Sequence, residues 1–412
     1  MGIIGFDLFR PRQIWERNLI VLWLGTFMAG VGFSLIMPFM SLYIDTLGDF
    51  NRAELSFWSG LTYSATFFVT AVISPWWGRL ADRKGRKLML LRASFGMAIV
   101  IGLMGTVTSV YQLVGLRFLQ GIFSGYISNA TALMATEAPR EKSGQVLGTL
   151  STGGVSGTLL GPLIGGVIAS VVGYRYTFFT TGTIMLVIFF LSLIFVKEDF
   201  KPVPLQKQNR TGSSFFKALA HPRLIIGMLI TTMIIQASNN SISPILSLYV
   251  REILHGQGNV TLVSGVIAAL PGVATLLAAP QFGRLGDRIG SDKILKIGLA
   301  CAILLYLPMA AVQNIWQLAI LRFLVGITDA CLVPSVQSLL AKYSPSESAG
   351  MVFSYNQSFQ SIGNVMGPFI GSTVSSLMGY RQVFISTSVL VLINFLLVRK
   401  NTTELNHTHG DL

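Results

Sequence analysis

Runs of about twenty apolar residues follow one another along the whole chain, with only short polar segments between them. This feature constrains the fold more than any other. In hydrocarbon, backbone N–H and C=O groups must be satisfied within the chain, so such runs can only be helices. The runs fall at about 18–44, 56–77, 89–108, 112–136, 143–170, 176–196, 223–250, 260–282, 293–312, 316–341, 349–376 and 381–399, which predicts twelve transmembrane helices. Composition agrees: only 11% of residues are charged, against about 25% in soluble proteins. The first run is too long for a cleavable signal peptide and reads as the first membrane helix.

The second constraint is an internal duplication. Gly78-Arg79-Leu80-Ala81-Asp82-Arg83-Lys84-Gly85-Arg86-Lys87 recurs, 205 residues on, as Gly283-Arg284-Leu285-Gly286-Asp287-Arg288 followed by Gly290. Leu116-Arg117-Phe118-Leu119 recurs as Leu321-Arg322-Phe323-Leu324 at the same offset. Gly161-Pro162-Leu163-Ile164-Gly165 recurs as Gly367-Pro368-Phe369-Ile370-Gly371, and Gly173-Tyr174-Arg175 as Gly379-Tyr380-Arg381. Four motifs in one order mark a chain built as one half, repeated. Parallel repeats of six helices are the architecture of rocking secondary transporters, with the site between the halves.

The net charge of +13 would suggest nucleic acid in a soluble domain. Here the basic residues crowd every second connecting segment, while the alternate segments hold only Arg52, Arg175, Arg251 and Arg381. That asymmetry predicts a multi-pass plasma-membrane protein with both termini cytoplasmic and excludes nucleic acid as a partner. The domains read as 1–196, a six-helix bundle; 197–222, a polar cytoplasmic linker; 223–400, the second bundle; and 401–412, a cytoplasmic tail read as an unstructured end. His407 and His409 in that tail, and Cys301 and Cys331 inside apolar runs, lack metal-ligand or disulfide spacing. No phosphate-binding loop is present, so the chain reads as no enzyme, with neither cofactor nor metal, and its energy source would be an ion gradient.

Individual residues stand out against this background. Asp329 lies near the middle of the tenth run, with Arg117 and Arg322 early in the fourth and tenth. Charges at membrane depth cost several kcal/mol, about 2.5–3.5 on insertion scales, and default to functional roles. A buried carboxyl alternates between a neutral acid and an ion, which suits proton coupling; Asp329 is the first candidate and Arg117 the second. Ser124 occupies the position matching Asp329 in the first half. Gly157, Gly161 and Gly165 share one helix face, where they permit close backbone approach, and Pro162 removes one backbone hydrogen bond. An apolar, aromatic pocket with polar anchors is expected at mid-membrane from Met28, Phe33, Met37, Tyr126, Asn129, Gln236, Asn240, Tyr355, Asn356 and Phe359.

These motifs together resemble the major facilitator superfamily over the whole chain. The segment from Gly78 to Lys87 is similar to that family's loop between helices 2 and 3. Arg117 with Gln120 and Gly121 is similar to its helix-4 motif. Gly157-Thr158-Leu159-Leu160-Gly161-Pro162-Leu163-Ile164-Gly165-Gly166 is similar to its helix-5 antiporter motif. Within the family the chain resembles the proton-coupled PmrA- and NorA-like multidrug (quinolone) pumps of Gram-positive bacteria. The resemblance implies an all-α, monomeric exporter of small amphiphilic drugs (fluoroquinolones, dyes, lipophilic cations) with protons as the coupling ion. It also implies a conformational latch made by Gly78, Asp82, Arg83, Gly85, Arg86, Asp287 and Arg288. Helix 7 departs from some relatives: it offers Gln236, Asn239 and Asn240 and no carboxylate. An exporter of an endogenous sugar or metabolite, or a glycolipid flippase of the same fold, is the competing expectation.

Overall fold

The computed structural model describes residues 13–139, 142–198, 222–344 and 349–408. The first half comprises α1 Ile14–Leu35, a 3-10 turn at Met37–Phe39, α2 Met40–Asp45, α3 Arg52–Lys84, α4 Arg86–Met104, α5 Val110–Phe123, α6 Tyr126–Glu137, α7 Ser143–Val172 and α8 Tyr174–Phe195. The second comprises α9 Pro222–Ser241, α10 Leu246–Ile253, α11 Val260–Ile289, α12 Ser291–Met309, α13 Ile315–Tyr343, α14 Ala349–Met378 and α15 Tyr380–Thr408. Among the described residues, nine helical stretches are long and apolar enough to cross a membrane. The expected spans outside that set have local causes. The fourth is broken into α5 and α6, α12 opens with Asp292, Lys293 and Lys296, and α14 is rich in Ser, Asn and Gln. Large apolar side chains face outward, with Val171, Trp316 and Leu377 each more than three-quarters exposed, a surface that lipid solvates and water does not.

The duplication is present down to single hydrogen bonds. Tyr43 donates to the carbonyl of Met104 at 2.8 Å, and Tyr249 donates to Met309 at 2.8 Å. The same two rings tilt against Phe178 and Phe384, with centroids 4.8 and 5.1 Å apart. Thr70 and Thr275 both bond back one turn and across to the carbonyls of Gly121 and Gly326. Gly85, Gly290, Gly173 and Gly379 all adopt positive φ, between 87° and 108°. There the chain leaves one helix and enters the next within a single residue, a conformation that a Cβ would strain.

Three expected helices are interrupted. The first bends at Pro38 into the 3-10 turn, and the seventh bends at Ser243 and Pro244. Proline withdraws a backbone donor and cannot continue the i→i−4 ladder. The fourth breaks at Ser124 and Gly125, where Gly125 has φ 106°. The carbonyls freed there are taken up from α3 and α4: Arg92 donates to Ser124 at 2.7 Å and Trp77 to Ile122 at 2.8 Å. The Arg92 guanidinium also sits 3.8 Å over the Trp77 ring.

The chain end differs from expectation as well. α15 runs on past Lys400 to Thr408 rather than ending in an unstructured tail. Asn401 packs on Gly227, and the Thr402 hydroxyl donates to Val398 at 2.8 Å, so this turn is anchored to α9 and to its own helix. His409 and the side chain of His407 lie outside the described residues, as does the 199–221 part of the expected linker.

Candidate functional site

The two halves meet through α3 on α14 and α7 on α11. Small residues let these backbones close. Gly166 faces Gly265, and Ser64 donates to the carbonyl of Val365 at 3.0 Å. The two proline breaks meet at the centre of this interface, where the Ser41 hydroxyl donates to the carbonyl of Pro244. Beside them lies a cavity of about 250 Å³. Met37, Pro38, Ser243 and Leu246 from the breaks line it, with Tyr63 from α3, Thr158, Leu159 and Pro162 from α7, Gly272 from α11 and Arg322 from α13. The cavity is therefore built by both halves, and its shape changes if one half turns against the other.

One end of the interface is closed by charge. Arg251 pairs with Asp45, and Arg52 lies 3.4 Å from Glu252, which also meets Arg381 at 3.8 Å. The Arg52 guanidinium stands 4.1 Å over the Tyr380 ring, and the hydroxyls of Tyr174 and Thr261 bond at 2.9 Å. All but the Arg381 contact join one half to the other. Sequence reasoning used these arginines only to assign a side. The signal that could have found the cluster was the acidic partners, Asp45 and Glu252, in segments otherwise poor in charge. The side chains in these pairs are roughly one-third to one-half exposed, so each pair is worth about 0–1 kcal/mol and can open and re-form.

The two repeat-related arginines have different surroundings. Arg117 is 2% exposed. It donates to the Thr62 carbonyl at 3.0 Å and to Gln120 at 2.7 Å, and it lies 3.9 Å from the Met37 sulfur. It stands behind Met37 and Tyr63, and the Tyr63 hydroxyl donates to the Met37 carbonyl at the helix break. Arg322 lines the cavity itself, and its buried Nε has no hydrogen-bond partner among the described residues. The cavity thus presents a cation that makes no ion pair among the described residues, with Asp329 two turns on acting on it through space.

Asp329 points elsewhere. It lines a small enclosed space inside the second bundle, between α9, α12, α13 and α15. The Tyr306 hydroxyl donates to Asn239 at 3.0 Å, and the Asn239 amide donates to Asp329 at 3.3 Å. No ion pair joins Asp329 to an arginine among the described residues.

Of the expected pocket residues, the structure brings Met37 to the central cavity. Tyr126 is 3% exposed, bonds Ser192 at 2.9 Å and packs on Gly25 within the first bundle. Asn129 donates to its own helix at Gly125. Phe33 lies edge-on to Phe67, and Met28, Tyr355 and Phe359 pack on the core. Gln236 and Asn356 line a second space inside the second bundle, where Thr232 donates to Asn356 at 2.8 Å. Asn240 donates to Asn364 at 3.0 Å. These polar side chains largely satisfy one another or their own helices.

The glycine motif makes two contacts. Gly157, Gly161 and Gly165 face α1, where a methyl group would collide with the Phe27 carbonyl, the Ser34 hydroxyl and the Leu35 carbonyl. Gly363, Gly367 and Gly371 face α9 in the same way. Pro162 and Gly166 face the other half at Gly265. Of the latch residues, Gly78 is in α3, Gly85 makes the turn into α4, Arg83 ends α3 and Arg288 ends α11. The side chains of Asp82 and Asp287 lie outside the described residues. The N-terminus of α4 receives its carboxylate from Glu198, which accepts from the backbone amides of Arg86 at 2.7 Å and Lys87 at 2.8 Å. A negative charge on free helix amides is a favourable cap.

The family model described as Major Facilitator Superfamily matches residues 22–256 and 228–410. The chain is 51% identical over 382 residues to multidrug resistance protein MdtG of Escherichia fergusonii, covering 93% of each chain. It is 50% identical over 380 residues to MdtG of Enterobacter lignolyticus, covering 92% of this chain and 91% of that one. Its fold matches a bacterial homologue of the human lysosomal transporter Spinster, in an inward-facing and unoccupied conformation, with TM-score 0.78 and 15% identity over 96% of this chain and 99% of that one. It also matches the nucleoside transporter NupG, with TM-score 0.73 and 13% identity over 94% of this chain and all of the other. With two matching halves, a shared cavity and relatives along almost its full length, this chain belongs to the major facilitator superfamily and is a multi-pass protein of the plasma membrane.

Proposed function

We propose that this protein exports amphiphilic drugs by alternating access, with the proton gradient as its energy source. The observation that carries the reading is the cavity between the halves, lined from both and shut at the Arg52 end by ion pairs across the halves. The multidrug-resistance names of the MdtG relatives support drugs as the cargo. In this reading the chain is a monomer with twelve spans, in bundles 1–196 and 223–400 joined by 197–222, and the basic Gly85 end is cytoplasmic. The cavity is then closed to the outside and loads from within.

Apolar walls at Met37, Leu159 and Leu246 suit an aromatic body, and Arg322 suits an acidic group on it. Fluoroquinolones, which carry a carboxylate, fit this pairing better than permanently cationic dyes. That preference agrees with the motif likeness to the PmrA- and NorA-like pumps. Asp329 is the coupling group: neutral when protonated and charged when not, it stabilises the two facings differently. A membrane potential contributes about 2.3 kcal/mol per charge per 100 mV to such a cycle. Asp82 and Asp287, with their neighbouring arginines, latch the cytoplasmic face in the opposite state. Asp82→Asn is expected to insert normally yet export more slowly, and wild-type export by that variant would remove the latch from the scheme.

The test follows accumulation of a fluoroquinolone and of ethidium in efflux-deficient cells. Expression should lower fluoroquinolone accumulation, and a protonophore should abolish the difference. Efflux of neither compound, or efflux indifferent to the protonophore, would sink the reading.

A further inference from the structure

The space around Asp329 holds more unsatisfied oxygen than a proton site needs. Ser238 on α9 and Asn394 on α15 also line it, each 1% exposed. The Ser238 Oγ and the Asn394 Oδ1 are buried without a hydrogen-bond partner among the described residues. The donors nearby are partly engaged, each amide keeping a second hydrogen. The Tyr306 hydroxyl is given to Asn239, the Asn239 amide to Asp329, and the Asn394 amide to the Thr231 carbonyl at 3.4 Å. A serine hydroxyl has a single hydrogen to give, and an amide oxygen and a carboxylate can only accept. The cage is therefore rich in oxygen acceptors, carries one negative charge, has no nitrogen or sulfur lone pair among these groups, and lacks an arginine in ion-pair contact.

We infer that Asp329, Ser238 and Asn394, with the Asn239 oxygen beside them, form a binding site for one alkali cation. An oxygen-only donor set with a single carboxylate selects a hard cation, and a monovalent one leaves the buried site neutral. Its volume is about 10 Å³, room for one water-sized particle. That size fits one alkali cation, and the salt series below separates sodium from potassium. The site lies wholly inside the second bundle, fed by α9, α12, α13 and α15, so an ion there braces those helices against one another. It shares Asp329 with the proton-coupling reading, and on that reading the two cations compete for one carboxylate. The ionisable groups around Asp329 are Tyr306 on α12, Arg322 two turns earlier on α13, and Cys331 on α13 with Cys301 on α12.

The experiment is a thermal-unfolding series on the purified full chain in detergent, in sodium, potassium or choline chloride at equal ionic strength. Sodium or potassium should raise Tm above choline in a saturable manner, because a ligand of the folded state stabilises it by mass action. The rise should be larger in mildly alkaline than in mildly acidic buffer, and it should vanish in Asp329→Asn and shrink in Asn394→Ala and Ser238→Ala. Equal Tm in the three salts for the wild-type chain would overturn the site and leave the cage to a water molecule. An alkali-cation effect that survives Asp329→Asn would overturn it too. The wild-type comparison needs no variant to fold, and it is independent of transport. Loss of proton-driven efflux would thus be told apart from loss of this site.

Discussion

Arg117 and Arg322 occupy equivalent positions in the two repeats, yet their surroundings differ. A carbonyl, an amide and a sulfur take up the donors of Arg117. Arg117→Leu strands the Thr62 carbonyl and the Gln120 amide, which costs about 1–3 kcal/mol per unsatisfied group, and the variant should unfold at clearly lower temperature. Arg322→Leu breaks no hydrogen bond among the described residues. It should keep the wild-type Tm while its KM for an acidic substrate rises; a Tm loss equal to that of Arg117→Leu would refute the distinction. Asp329→Asn should end uphill export driven by a pH gradient while still letting substrate run downhill, as measured in proteoliposomes. Residue type alone marked all three positions as special, because charge at membrane depth is rare. Where each side chain points was not legible: the neighbouring helices decide whether a helix face meets the cavity or the bundle interior. Gln236, Asn240 and Asn356 illustrate the point, since they looked like pocket anchors and instead line or bridge the inside of the second bundle.

Among the elements, α7 and α14 carry the packing logic of the fold. Their matching glycine rows press on α1 and α9, and their remaining small residues press on the opposite half. Gly161→Val should force α7 away from Ser34 and Val31 and so enlarge the cavity wall. The expected outcome is a folded but leaky transporter, with faster substrate-independent proton flux in liposomes; tight coupling with normal efflux would contradict the close-approach role. The glycine spacing was readable because one residue type performs one task there. The helix breaks were hidden for the opposite reason. Pro38 and Pro244 sit inside apolar runs that hydropathy reads as continuous, and proline alone does not say whether a membrane helix bends or stops. Gly125 is similar: the carbonyls freed at its break are capped by Arg92 and Trp77, which arrive from other helices.

At the scale of the whole molecule, the 205-residue repeat was the most legible property, and it recurs in the paired Tyr43 and Tyr249 contacts. What the repeat could not supply is which end of the interface is closed. That depends on weak pairs between residues far apart in sequence, Asp45 with Arg251 and Arg52 with Glu252. On the proposed cycle, several weak contacts give a face that stops leak when shut and opens when the cavity loads. The most direct measurement of alternating access therefore locks that face. Asp45→Cys and Arg251→Cys are introduced together after Cys301→Ser and Cys331→Ser remove the native thiols, and the pair is oxidised or bridged by a short bis-thiol reagent. Cross-linking should halt drug efflux, and reduction should restore it to the level of the uncross-linked variant. Unchanged efflux with the pair fully cross-linked would contradict the account, because the substrate would then be leaving without that face ever opening.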